Sequence, residues 1–522
     1  MRRTPDVVVV GAGAAGAALA ARLSEDPDRG VLLLESGPVP AGPDAFGPAL
    51  LDARLVPGAQ PDHPGICAYP VRLMSDRPWT VPRGRLLGGS TTVNGGYFVR
   101  ARREDFARWA AAGNPAWSAA QVLPFLRALE TDLDFGTGAV HGDRGPMAVR
   151  RATLDHPAAA AFQDAALAAG FPTEPDKNDD ARPGFGPVPS NSVHGVRRNT
   201  ALSYLPPHVI TRPNFTLLSG CHVTRVLVEH GRATGVVARY GGTRTVIDAG
   251  EVVLSAGAFA SAHLLLLSGI GPRADLERLG IPVLRDAPAV GTRFSDHPQL
   301  VLEWSPRREL GAPRENWLGG CLHLPSGVGR SGAPDGPGDL EILQSLIPMA
   351  GLTRGEVSVP GAPLAFLVSA QAPRPTGRLR LVSADPAVLP RIDQGMLSTP
   401  DDHGRLRAAV RATAALMSTP PLTGLSDGLL GLPPAVLDVD SALDTWIAGR
   451  LATAQHTCGT VPMGPADEPG RSAVDQYGRV HGTRSLRVAD TSILPDAPHR
   501  GPAATAVLVG EVIADAIRRD LP

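Results

Sequence analysis

Three glycines in one short turn, Gly11-Ala-Gly13-Ala14-Ala15-Gly16, are the first residues whose types and spacing suggest chemistry. Gly11 permits a tight turn, Gly13 lets a pyrophosphate approach the backbone, and Gly16 lets a helix pack close to a strand. Glu35 follows nineteen residues after Gly16, where a carboxylate can accept hydrogen bonds from ribose hydroxyls. A second glycine-rich turn, Gly88-Gly89-Ser90, runs on through small hydroxylated residues to Asn94 and Gly95. Backbone N–H groups and hydroxyls in such a turn make another anion cradle.

The elements needed to position these residues are readable around them. Val7–Val10 is an unbroken β-branched run that predicts a buried strand. Ala17–Leu23 has helical character, and Val31–Leu34 predicts a second strand ending at Glu35. The order strand, glycine turn, helix, strand, acid belongs to a dinucleotide fold. The helix N-terminus offers unpaired N–H groups and a positive dipole end to phosphates. On this evidence NAD and FAD are equally open.

Composition excludes several classes. The chain has 522 residues, enough for two domains, with 43% hydrophobic and 19% charged residues. A net charge of −1, with both signs mixed along the chain, gives no footprint for nucleic acid. Cys67, Cys221, Cys321 and Cys458 are far apart and form no CxxC pair. No metal site or disulfide framework is expected, and a reducing cytoplasm fits, with contact at the inner membrane face left open. No apolar run reaches the roughly eighteen residues of a membrane span.

Further along, Pro38–Pro82 is dense in Pro, Gly and Asp and reads as a long functional loop, a lid or cofactor-wrapping excursion. Helices are expected over Glu104–Leu133, with Trp109 and Trp117 as core anchors. Asn214–Leu218, His222–Glu229, Gly235–Tyr240 and Arg244–Asp248 read as strands. Glu251–Ser255 is a later strand that returns to the first sheet and runs into Ala256-Gly257. From Pro298 to Leu451, strand-like runs (Gln299–Trp304, Leu340–Leu346, Leu364–Ala370, Gly377–Val382) precede helices at Asp401–Leu416 and Val439–Leu451, which reads as an inserted α+β lobe. The end carries a His-containing turn, a strand Leu486–Ala489 and an amphipathic helix Ala504–Arg519.

Together these motifs resemble the glucose–methanol–choline (GMC) family of flavoenzymes over nearly the whole chain. Gly84–Asn94 matches the family's first signature and Gly257–Pro272 its second. Gly291–Pro298, Gln455–Thr460, Met463-Gly464 and Leu486–Pro495 match further family markers, in the family's order. The resemblance implies FAD, a Rossmann-like FAD-binding domain built from separated segments (α/β), and an antiparallel-sheet substrate-binding domain (α+β). Residues 1–150, 201–297 and 452–522 would form the first domain, and 151–200 and 298–451 the second. It also implies that Val223 meets adenine through its backbone and that Asp490 and its neighbours contact FAD through backbone groups. Pro502 and Ala503 open a helix whose positive end faces the flavin pyrimidine ring.

The same resemblance makes His456, in the H-x-x-G-T turn, the base that takes the hydroxyl proton as hydride leaves the carbinol carbon. The family's second catalytic side chain, His or Asn, falls on Gly501, which has no side chain; His499, two residues upstream, is the candidate to fill the gap. Some members attach flavin to a histidine where this chain has Val93, so non-covalent FAD is expected. Asn94–Phe98, Asp105-Phe106, Leu129–Phe135, His141-Gly142, Gly145-Pro146 and Val149–Arg151 resemble, more narrowly, the actinobacterial GMC enzyme of the mycofactocin system. That implies reduced mycofactocin, a peptide-derived redox carrier, as donor and a respiratory acceptor instead of oxygen. A general alcohol or choline-type dehydrogenase or oxidase, and an FAD-containing hydroxynitrile-type lyase, are the competing expectations.

Overall fold

The computed structural model describes residues 4–40, 43–329, 332–334 and 336–519. The Val7–Val10 run forms the centre of a five-stranded parallel sheet. The strand order is Phe215–Leu218, Val31–Leu34, Val7–Val10, Glu251–Leu254 and Leu486–Val488. Val9 pairs with Leu33 on one side and Val253 on the other. The central strands are buried along their length, which is why they read as continuous apolar runs without alternation.

One sheet is thus assembled from four distant parts of the chain. Helix Ala14–Leu23 leaves the first strand through the glycine turn, and the last helix, Ala503–Arg518, packs across it. Gly510 allows that crossing, since a Cβ there would lie 2.3 Å from the Ala15 carbonyl oxygen. An antiparallel meander, His222–Glu229, Arg232–Tyr240 and Thr243–Asp248, follows the edge strand as expected.

The second lobe is an antiparallel sheet. Its order is Ser426–Leu429, Pro298–Pro306, Leu364–Ala370, Leu340–Ser345, Leu318–Leu324 and Phe185–Pro187, and Ala452–Thr453 also pairs with Pro298–Pro306. Helix Pro400–Met417 packs against the two central strands. The Leu318–Leu324 strand was not among the expected ones. Gly319-Gly320 reads as a breaker, yet here it allows close packing: a Cβ at Gly320 would meet the Phe185 ring at 2.4 Å.

Two further expectations are corrected. Pro38–Pro82 is not all loop, because Ile66–Met74 and Arg77–Gly84 form a β-hairpin. Tyr69, Val71 and Leu73 point inward between exposed Pro70 and Arg72, an alternation that the surrounding prolines obscure. Arg378–Arg380, inside the expected strand Gly377–Val382, joins this hairpin and Arg391–Asp393 in a four-stranded sheet instead of the large one. Trp109 and Trp117 are fully buried, edge to face at 6.3 Å. All four cysteines are free. No helix among the described residues is long and apolar enough to cross a membrane.

Candidate active site

The two glycine turns meet backbone to backbone. Gly88 donates its N–H to the Ala12 carbonyl at 2.8 Å. Gly89, at φ +52°, is so close that a Cβ would lie 2.8 Å from Gly13 Cα. Gly16 has no room for a Cβ either, which would sit 1.9 Å from the Gly11 carbonyl oxygen. Ala14 and Ala15 open the helix with no side-chain cap, so its first N–H groups are free for a ligand. The buried Glu35 carboxylate accepts from Ala12 N–H (3.1 Å) and Gly37 N–H (2.8 Å). Burial raises its pKa against those two bonds. The Glu35 carbonyl accepts from Cys221 N–H at 2.9 Å, which brings Val223 to the same end of the sheet.

Other segments reach the same region. Ser90 Oγ accepts from Gly84 N–H, and Asn94 Oδ1 from Gly96 N–H. The Gly95 carbonyl accepts from the Trp317 indole at 2.8 Å, which ties this turn to the second lobe. After Ala256, Gly257 stands at φ +87° with nothing within 4 Å of where its Cβ would be. Its N–H donates to Asp490 Oδ2 at 2.9 Å, and Ser261 Oγ (2.5 Å) and Ser492 N–H (2.9 Å) complete the bonding of that carboxylate. The Asp490 carboxylate is thus taken up within the protein. Closely apposed glycine backbones, a free helix N-terminus and open space at Gly257 fit the diphosphate of FAD.

His456 is set by Asp296. Asp296 Oδ1 accepts the backbone N–H of both His456 and His297 at 2.8 Å, and Oδ2 accepts the Thr457 hydroxyl at 2.7 Å. Nδ1 of His456 lies 2.8 Å from Nδ1 of His297, with the rings nearly perpendicular at 86°. Burial, and then the adjacent His297, push the His456 pKa down to about 3; Glu341 opposes them. Burial and His499 do the same to His297, also to about 3. The site thus holds neutral imidazoles. Thr460 Oγ1 donates to the Ala258 carbonyl at 2.5 Å, registering the His456 turn on the helix that follows Gly257. Gly501 faces the ring, and a Cβ there would be 3.3 Å from Cε1 and 3.4 Å from Nε2 of His456. Pro502 and Ala503 begin the last helix beside it.

His499 is placed differently. Its Nδ1 engages Asp105 and lies 3.3 Å from the Arg108 guanidinium, its backbone N–H donates to both Asp105 oxygens, and no hydrogen bond joins it to His456. His297, which lies within the Gly291–Pro298 marker, is the partner of His456 that the sequence alone does not single out. Also unanticipated is a polar wall from the second lobe. Glu341 Oε2 accepts from Tyr97 (3.2 Å) and lies 3.0 Å from His323 Nε2, and Oε1 accepts from Gln371 at 3.1 Å. The signal was a charged residue in the fully buried strand Leu340–Ser345. Among the described residues, Cys321–His323–Glu341 and Glu130–Asp132–His141 have metal-ligand atoms in reach of one another. Each is already joined by its own hydrogen bonds and ion pairs.

Comparisons with known proteins agree with this geometry. Two models of the GMC oxidoreductase family match, over residues 5–299 and 373–510. An uncharacterized GMC-type oxidoreductase of the thcA 5′ region of Rhodococcus erythropolis is 37% identical over 97% of both chains. The oxygen-dependent choline dehydrogenase of Sinorhizobium medicae (strain WSM419) is 33% identical over 98% of this chain and 95% of its own. The crystal structure of pyridoxine 4-oxidase from Mesorbium loti superposes with a TM-score of 0.89 at 27% identity over 99% of both chains. The apposed glycine turns, the buried His456 and these full-length matches lead to one conclusion: the chain belongs to the GMC oxidoreductase family and is an FAD-dependent oxidoreductase acting on CH–OH groups.

Proposed function

We propose that the chain is a dehydrogenase whose donor is reduced mycofactocin and whose electrons pass to a respiratory acceptor instead of oxygen, with His456 as the base. The cofactor would be held non-covalently by Gly11–Gly16, Glu35, Gly88–Ser90, Asn94-Gly95, Val223, Ala256-Gly257, Asp490 and Pro502-Ala503. When bound, FAD supplies the hydride acceptor. The protein residues handle the proton. His456 Nε2 takes it from the donor hydroxyl, so the carbinol carbon becomes a carbonyl as its hydride leaves. Asp296 fixes the His456 backbone, and the last helix directs its positive end toward developing negative charge.

The observation that carries this reading is the neutral, deeply set His456, tied through Thr460 to the segment that also shapes the cofactor cradle. The donor assignment draws on the local motifs Asn94–Phe98 and Leu129–Phe135. Gly501 supports it further, because a simple alcohol would lack the second hydrogen-bonding side chain that holds its hydroxyl.

Anaerobic mixing of the FAD-loaded protein with reduced mycofactocin, choline or pyridoxine tests the reading. Bleaching of the flavin by reduced mycofactocin, with dye reduction and little hydrogen peroxide in air, is the expected result. His456→Gln should keep FAD and lose about 10²–10⁴-fold in the rate of bleaching. Bleaching by choline or pyridoxine alone, with peroxide, would replace the donor assignment. No bleaching by any of the three would refute it.

A further inference from the structure

The His297–His456 contact has a consequence for which nitrogen of His456 is basic. Two neutral imidazole nitrogens 2.8 Å apart share one proton, so one ring donates and the other accepts. If His297 donates, His456 carries its own proton on Nε2, the nitrogen facing Gly501, and has no lone pair there for a hydroxyl proton. If His456 donates from Nδ1, its Nε2 is bare.

Resting on the reading of His456 as base, we propose that His297 is the positioning residue that accepts the Nδ1 proton of His456 and so holds Nε2 of His456 as the free base. The base role sets the direction: only a bare Nε2 on His456 can take the hydroxyl proton, so the shared proton sits on His456 Nδ1 and the His297 proton on Nε2. His297 is fully buried, so water does not compete for the contact. Both residues also hang from one oxygen, Asp296 Oδ1, which fixes the distance between the rings. Finally, Gly501 lets the His456 ring lie where even a Cβ would crowd it at 3.3 Å. The arrangement has the logic of an outer group that sets the tautomer of a working histidine.

The tautomer is read directly by ¹⁵N NMR on FAD-loaded protein labelled at the histidine rings, with His456 assigned from its loss in His456→Gln. A proton on Nδ1 and a bare Nε2 at His456 are expected; a proton on Nε2 would overturn the proposal. This measurement needs no donor, so it stands apart from the donor assignment. Two variants separate orientation from packing. His297→Leu removes the acceptor, while His297→Asn supplies a side-chain oxygen in its place. With whichever donor bleaches the flavin, the Leu variant should lower the limiting rate by about 10–100-fold with KM little changed, and the Asn variant should recover most of that rate. An undiminished rate in the Leu variant, or equal slowing in both variants at full FAD loading, would overturn the proposal.

Discussion

His141→Gln should destabilise the protein and remove much of its alkaline pH dependence. Nδ1 of His141 lies 2.7 Å from Glu130 and 3.2 Å from Asp132, and Nε2 lies 2.7 Å from Asp176. Arg100 reaches Glu130 at 2.6 Å, and Arg151 reaches Asp132 and Asp176. Three carboxylates thus face two guanidiniums and one imidazole, and the charges cancel only when His141 is protonated. Burial alone would lower its pKa, but Asp132, Asp176 and Glu130 raise it to about 10. Against about 6.5 in an unfolded chain, that corresponds to a ceiling of about 5 kcal/mol. The usual cost of breaking a buried pair, about 3–5 kcal/mol, is similar. A raised folded pKa means the stabilisation is fully present below about pH 6.5 and lost as pH rises through about 10. With about 2.1 cal/mol/K per residue on unfolding and 522 residues, each kcal/mol moves the melting midpoint by about 1 °C. Thermal melts at one heating rate, from about pH 7 to about 10.5, should place the variant about 3–5 °C below wild type at pH 7. The gap should narrow toward pH 10.5. Equal midpoints at pH 7, or parallel decline of both proteins with pH, would refute the charge argument. The cluster also bears on the site, because Arg100 follows Tyr97–Val99 and its own N–H is held by Asn178.

Gly89→Ala should strip the protein of flavin, since its Cβ would strike the Gly13 backbone at 2.8 Å from a left-handed φ of +52°. Gly170→Ala, also left-handed at φ +82° but in open space, controls for backbone strain alone. The Kd for FAD should rise on the order of tenfold in the first variant only, a shift of about 1.4 kcal/mol; an unchanged Kd would show that the turns tolerate separation. Val93 has no nucleophile to bond flavin, so acid precipitation should leave the colour in the supernatant. A yellow pellet would contradict non-covalent FAD.

The legible parts of the fold are those whose physics is local. Val7–Val10, Val31–Leu34 and residues 252–254 are buried on both faces, so burial is written as an unbroken apolar run. The glycine turn works within six residues and reads just as directly. The Ile66–Gly84 hairpin and the Leu318–Leu324 strand were hidden because Pro and Gly carry breaker signals by default. Only their neighbours, the Arg378–Arg380 and Arg391–Asp393 strands and the Phe185 ring, reveal why they are tolerated. The site divides in the same way. His456 stands in a recognisable turn, but its partner His297 lies 159 residues away, and Asp105 holds His499 across 394 residues.

Gly501 shows most clearly how the fold changes the meaning of a residue. In the sequence it is a missing side chain, and His499 is the nearest substitute. In the folded chain it also leaves room for the base. The His456 ring lies within 3.4 Å of where any Cβ at 501 would be, and its Nδ1 reaches His297 at 2.8 Å. A Cβ at 501 would be a tight contact at Cε1 and Nε2, for which the ring would have to give by a few tenths of an ångström. The hydroxyl-holding side chain stays absent at 501: His297 meets Nδ1 of His456, not a donor hydroxyl, and Asp296 fixes both backbones.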